Sequence, residues 1–229
     1  MQVLPKFKNT VYCSLWLAAV VLLFGQMMVY ESQPAPLAVS AQSWPSQTAA
    51  QRISGKYSLV VFIHPHCPCS RATLDTISRI ITHHEKVLST TLFFVLPDDV
   101  SRDWVKTDLY QRAQELVSAV VKIDSAAIEA NRFGGTTSGH ALLYSPSGSL
   151  VFSGGLTDAR GKFGESVSEW QINSLLLGDK AQANNTAKNL DQDPAKNLAH
   201  NLAQNLPVFG CALTNSHQVE PEVVGKGQK

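Results

Sequence analysis

The chain has 229 residues, of which 44% are hydrophobic and 16% charged; this is room for one domain of about 100–200 residues with accessory segments, and too little for a multidomain machine. Lys and Arg number 19 against 18 Asp and Glu, a formal charge of +1, so no surplus of positive charge exists to neutralise a run of phosphates and nucleic acid is disfavoured as a partner. The charged fraction lies below the roughly 25% usual for soluble domains, which places part of the chain somewhere other than water.

That part is N-terminal. Asn9 to Tyr30 carries no charge, and from Val11 to Tyr30 only Ser14, Gly25 and Gln26 interrupt an apolar run. As a helix this run spans a bilayer. Lys6 and Lys8 precede it and Glu31 follows it, so the positive-inside bias predicts a cytoplasmic N-terminus at residues 1–10, an anchor at 11–30 and the remainder outside. The alternative is a cleaved signal peptide with Ala38-Val39-Ser40 as the small-residue site before Ala41. The run is longer than the roughly 7–15 residues of an ordinary signal core and the site lies far from its end, which favours the uncleaved anchor. Cys13, inside the span, acts there as a small hydrophobe.

Residues 31–51, with Pro34, Pro36 and Pro45 among Ser, Ala and Gln, read as a tether. Residues 52–180 alternate β-branched runs with helical patterns, as a mainly parallel sheet with helices packed on it requires. Strands are predicted at Tyr57–Ile63, a nearly all-apolar run suited to a centre buried on both faces, at Thr90–Leu96 and at Val120–Ile123. Helices are predicted at Arg71–His84, with Ala72, Leu74, Ile77, Ile80 and Ile81 on one stripe, and at Trp104–Leu116. His140–Tyr144 and Ser149–Ser153 flank the turn Pro146-Ser147-Gly148 as a hairpin, and a helix at Ser166–Leu177 closes the domain. Residues 181–206 repeat a tetrad (Ala187-Lys188-Asn189-Leu190, then three more from Ala195), which places Leu198, Leu202 and Leu206 on one helical face. Asn at every turn and Pro194 favour a spacer over a partner-binding helix. Apolar residues return in Pro207-Val208-Phe209-Gly210-Cys211, within a C-terminal segment of residues 207–229.

The chemistry concentrates in His64-Pro65-His66-Cys67-Pro68-Cys69-Ser70-Arg71, where the first strand meets its helix. Pro68 suits the first helical position, which puts Cys67 at the N-cap. There its sulfur faces unpaired N–H groups and the positive end of the helix dipole, and thiolate is favoured over thiol. An inert cysteine at a tight turn is the bland alternative.

This arrangement resembles the thioredoxin superfamily, in which a Cys-x-x-Cys begins the helix after a central strand; the order of elements fits from about Tyr57 to Leu177. HPHCPCSRA, SGHALLYSPSG, FSGGLTDARG and PVFGC together are similar to membrane-anchored bacterial RedB-type proteins. The resemblance implies a thioredoxin-like mixed sheet flanked by helices, held at the bacterial inner membrane with the domain in the periplasm, and Cys67 as the nucleophile. It also shows two departures: Ser70 stands where thioredoxins have a resolving cysteine, and Gly139, in Ser138-Gly139-His140, stands where they have a cis-proline, which opens that position for His140 as ligand or base.

A second thiol must then come from elsewhere. Cys69 lies two residues from Cys67, so a bond between them requires unwinding the first helical turn and would be strained. Cys211 lies beyond a flexible spacer and approaches without that distortion. Arg160, after Gly154-Gly155, is a candidate for holding an anionic group near the site, although such glycine-rich loops are more often plain turns. His83 and His84 suit the negative end of their helix dipole and need no functional role. The leading expectation is an exported, membrane-anchored thiol–disulfide oxidoreductase acting on protein thiols and disulfides through Cys67, Cys69, Cys211 and His140, with no cofactor. The alternative is a copper or zinc carrier with Cys67, Cys69, His140 and His66 or Cys211 as ligands. A third reading is a redox-dead scaffold.

Overall fold

A computed structural model describes residues 4–36, 39–184 and 206–214. Its first element is a helix, α1 (Leu4–Ser32). Asn9–Ser32 is long and apolar enough to cross a membrane, and none of it is buried against the domain. Aliphatic side chains all round a helix belong in lipid or a core, and here there is no core around them.

The domain is built on a five-stranded sheet in the order β3-β2-β1-β4-β5. Strands β1 (Tyr57–Ile63), β2 (Leu88–Leu96) and β3 (Ala119–Ser125) are parallel; β4 (His140–Tyr144) pairs antiparallel with β1, and β5 (Leu150–Gly155) pairs antiparallel with β4 and so runs in the direction of the first three. The sheet is thus mixed, with β4 as the reversed strand. Along β1, Leu59, Val61 and Ile63 enter one hydrophobic cluster and Val60 and Phe62 the other, the period-2 alternation of a strand buried on both sides. Helices α2 (Ser70–His84), α3 (Asp108–Gln114) and α5 (Val167–Asn184) cover the first face; α4 (Ile128–Phe133) covers the second. This is the thioredoxin-like fold expected, preceded by one apolar helix that could span a membrane.

Several local expectations change. The helix predicted over 104–116 is two pieces, a 3-10 turn at Arg102–Val105 and α3, because Lys106 leaves helical geometry and the Thr107 hydroxyl caps α3 by accepting the Tyr110 N–H at 3.3 Å. Helix α4 was not expected. Its six residues are too few to show a period; it is started by the buried Asp124 carboxylate, which accepts the N–H groups of Glu129 and Ala130 at 2.8 and 2.9 Å. Residues 39–50, read as tether, pack on the domain: Trp44 meets the Phe133 and Tyr144 rings edge-on at 5.4 and 5.2 Å, and the Tyr144 hydroxyl donates to the Ala41 carbonyl. Beyond Asn184, the tetrad repeats lie outside the described residues as far as Leu206, as does Ala38 of the alternative cleavage site.

Candidate active site

Strand β1 ends at Ile63, and the chain turns through 64–69 before α2 begins at Ser70. The first helical residue is therefore two positions later than expected, because Cys67, Pro68 and the residues after them form i→i+3 turns: the Ser70 N–H donates to the Cys67 carbonyl at 3.1 Å and the Arg71 N–H to Pro68 at 3.4 Å. Cys67 sits before the helix rather than as its N-cap, and the groups that act on its sulfur are individual donors.

Three segments supply them. The turn 64–70 is one. The loop 136–139 is the second; Gly139 takes φ +89°, a conformation glycine adopts freely, and its N–H reaches the Phe62 carbonyl at 2.8 Å. The third is the C-terminal segment 206–214, which lies along both. The Ser138 N–H donates to the Cys211 carbonyl at 2.8 Å and the Leu213 N–H to Thr136 at 2.9 Å, with an antiparallel bridge between Thr137 and Ala212. The Leu206 N–H donates to Ser153 at 2.9 Å, and the Gly155 N–H to Pro207 at 3.2 Å.

The glycines of FSGG and FGC make this docking possible. A Cβ on Gly155 would lie 2.9 Å from the Pro207 carbonyl oxygen and the Val208 Cα, and one on Gly210 only 1.9 Å from the Ser138 oxygen. Gly154 and Gly155 belong to β5 itself, not to a loop after it. Gly210→Val should therefore lift the segment: alkylation of Cys67 should become faster and its pH midpoint should move upward as donors are lost. Unchanged rate and midpoint would show that the segment neither covers nor activates the sulfur.

Cys67 is wholly buried, whereas Cys69 and Cys211 are partly exposed. Burial pushes the Cys67 thiol up. Hydrogen bonds from the Cys211 thiol and backbone N–H, from the Ser70 hydroxyl and from the Cys69 backbone outweigh it, and the thiol is held below its ordinary value. Cys69 is pushed up by burial and by the charge and hydrogen bond of Cys67, with Arg160 opposing. Cys211 is pushed up to about 12, first by burial and then by donating to Cys67. The negative charge of the cluster accordingly belongs on Cys67, with Cys211 as its protonated neighbour.

The His64 N–H donates to Ser138 Oγ at 2.8 Å, the Ser138 and Ser70 hydroxyls share a hydrogen bond at 2.8 Å, and the Ser70 hydroxyl bonds to the Cys67 sulfur, favouring its thiolate. The serine that replaces a resolving thiol thus serves as a donor. Arg160 completes the rim, with Nη1 on the Gly210 carbonyl and its charge near Cys69 and Cys211.

The structure separates the other candidates from this cluster. His140 is 3% exposed and its Nε2 is directed to Ser153 Oγ at 2.9 Å, which in turn meets Ser40 Oγ at 2.7 Å. Burial alone takes its pKa down to about 4. His66 is exposed and turned to Trp104, its Nε2 3.0 Å from that carbonyl and the rings 4.4 Å apart. Among the described residues, no group of three or more His, Cys, Asp and Glu side chains is arranged to hold a metal ion. The copper or zinc constellation of Cys67, Cys69, His140 and His66 is therefore not assembled. Opening of the proline position by Gly139 had pointed to His140, but a residue starting β4 has its side chain fixed by the sheet face. Ser138 went unnoticed in the sequence because a lone serine carries no signal without its neighbours.

Buried neutral, His140 ties stability to pH. The unfolded chain takes up a proton near pH 6.5 that the folded chain refuses until about 4. Stability should consequently fall between those values by about 3 kcal/mol, and urea midpoints from pH 7.5 to 4.5 should show a shallower decline in His140→Gln. An identical slope in the variant would place the titration elsewhere.

No protein-family model matches the chain, and no curated protein matches it. Solved structures of similar fold include a hypothetical protein from Sinorhizobium meliloti 1021, at 15% identity over 80% of this chain and 96% of that one, TM-score 0.50. An uncharacterized conserved protein from Geobacillus kaustophilus aligns at 17% identity over 82% of this chain and 97% of that one, TM-score 0.50. A thiol-disulfide oxidoreductase from Bacteroides fragilis NCTC 9343 aligns at 17% identity over 66% and 99%, TM-score 0.37. At these identities the likeness to the first two is one of fold.

Proposed function

We propose that this is an exported thioredoxin-like thiol–disulfide oxidoreductase, anchored by residues 11–30 in a bacterial inner membrane with its domain in the periplasm, in which Cys67 is the attacking thiol and Cys211 the resolving one. The observation that carries the reading is the placement of the Cys211 thiol and N–H on the Cys67 sulfur. Cys67 thiolate attacks one sulfur of a substrate disulfide; the Cys67–substrate bond forms, the substrate S–S bond breaks, and the first substrate thiolate leaves to take a proton from water. Cys211 then gives up its proton and attacks the Cys67 sulfur, and the second substrate sulfur leaves as a thiol. The substrate disulfide is reduced and Cys67–Cys211 is oxidised to a disulfide, which an external dithiol returns to two thiols. Sulfur alone carries these electrons, so no cofactor is required. Cys69, next in line and raised in pKa, is a bystander in this scheme. Lys6 and Lys8 before the anchor support the orientation, and the motifs shared with RedB-type proteins support that grouping.

The test is a peptide map of the oxidised full-length protein, together with site-resolved alkylation across pH. A Cys67–Cys211 linked peptide and a Cys67 midpoint below the roughly 8.5 of a free cysteine are expected. A Cys67–Cys69 link would remove Cys211 from its role. A midpoint at or above the free value, or stoichiometric copper or zinc in the reduced protein, would replace the reading.

A further inference from the structure

The outward face of α5 is unlike that of a helix facing water. From Ser166 to Gly178 the only charged residue is Glu169, and Glu169 is 6% exposed and turned inward, where its carboxylate meets the Arg79 guanidinium at 2.7 Å. With Ile172 and Leu176 it marks the buried side. The opposite side carries Val167, Trp170 and Leu177 at 3.6-residue spacing, with Phe163 just before the helix. These four are between 51% and 70% exposed. Ser174, between them, directs its hydroxyl to its own helix at the Trp170 carbonyl. A solvated helix places charge on this face, and a contiguous exposed apolar stripe marks something that covers it.

The covering surface follows from where the stripe begins. The Arg160 N–H donates to the Glu31 carbonyl at 3.2 Å, and the Arg160 guanidinium lies 4.9 Å from the centre of the Tyr30 ring. Tyr30 and Glu31 are the last turn of the helix that could span the membrane and the first polar residue after its apolar run. Phe163 follows Arg160 by three residues, a reach of at most about 10 Å. The loop then folds back, the Val167 N–H meeting Asp158 Oδ1 at 3.1 Å, so α5 starts at the same level.

We propose that Phe163 and the Val167–Trp170–Leu177 face of α5 lie in the headgroup layer of the membrane that α1 crosses, so that the domain rests on the bilayer instead of standing off on a tether. Trp and Phe at the boundary of an acyl layer are the side chains that interface favours, and an uncharged helix face lies in its plane. The Cys67–Cys211 site is then held close to the membrane surface, since Arg160 borders both the site and Tyr30. Substrates are accordingly disulfides carried by membrane-bound or membrane-apposed proteins. The inference rests on the anchor reading given above.

The test uses the full chain in phosphatidylethanolamine–phosphatidylglycerol vesicles. Tryptophan emission of the wild type minus that of Trp170→Phe isolates Trp170, because Trp16, Trp44 and Trp104 cancel. Lipid brominated near the headgroup should remove most of that difference signal, and aqueous iodide should quench it severalfold less than it quenches free tryptophan. Full iodide quenching with no effect of brominated lipid would overturn the proposal by placing the face in water. Protection from both quenchers would also overturn it, by placing a protein, such as a second copy, on the face. An alkaline wash keeps the two readings apart: release of the chain from vesicles defeats the anchor itself, whereas retention with a water-exposed Trp170 defeats only this inference.

Discussion

Cys211→Ser should convert a turning-over protein into one that accumulates covalent complexes. Cys67 keeps its Ser70 and Cys69 donors in this variant and still attacks, but the mixed disulfide then lacks the thiol proposed to displace it, and the neighbour that remains, Cys69, has its pKa pushed up by burial and by Cys67. Turnover of a protein disulfide with a dithiol as electron donor should drop about hundredfold or more, and non-reducing gels should show substrate adducts mapping to Cys67. Cys67→Ser should lose the activity and form no adducts, because a hydroxyl is not appreciably ionised near neutral pH. Cys69→Ser should keep most of it. Adducts that resolve as fast in Cys211→Ser as in the wild type would assign resolution to Cys69.

The second large effect concerns stability. A Cys67–Cys211 bond closes a loop of about 145 residues, and the chain-entropy account gives such a loop about 5 kcal/mol over the open chain. For a domain of this size that corresponds to about 10–20 °C in Tm. Thermal unfolding of the oxidised and reduced full-length protein should show a shift of this order, absent in Cys211→Ser. Equal midpoints in both redox states would mean that the bond does not form or is strained by as much as it constrains.

Much of the fold was legible because the central elements carry strong periods. The all-apolar Tyr57–Ile63 could only be a strand covered twice, and the Leu74, Ile77, Ile80 and Ile81 stripe only a helix laid on it. The failures fall where side chains act at a distance: Asp124 starting α4, Thr107 interrupting a predicted helix, Trp44 drawing a proline-rich stretch onto the core. The site divides in the same way. Cys67 and Ser70 announced themselves by local spacing, and Cys211 by the return of apolar residues after a polar stretch. Arg160 was visible only as a weak suggestion, and Ser138 not at all. His140 was misplaced because a residue's neighbourhood in sequence says little about which side of a sheet it faces.

Cys67 is completely buried and has Cys211 of residues 206–214 on its sulfur, which gives the proposed exchange a kinetic consequence. For Cys67 to attack as proposed, that stretch has to peel back first, so a unimolecular opening step should precede the bimolecular attack. Raising the substrate concentration should accelerate the reaction only until opening becomes the slow event, after which the observed rate levels off at a value belonging to the protein and common to every substrate. Because the stretch that has to leave is the one bearing Cys211, the motion that admits a substrate should also set back the thiol proposed to release it. In the proposed scheme, closure between Cys67 and Cys211 and productive exchange should then compete, with the lifetime of the opened segment deciding between them.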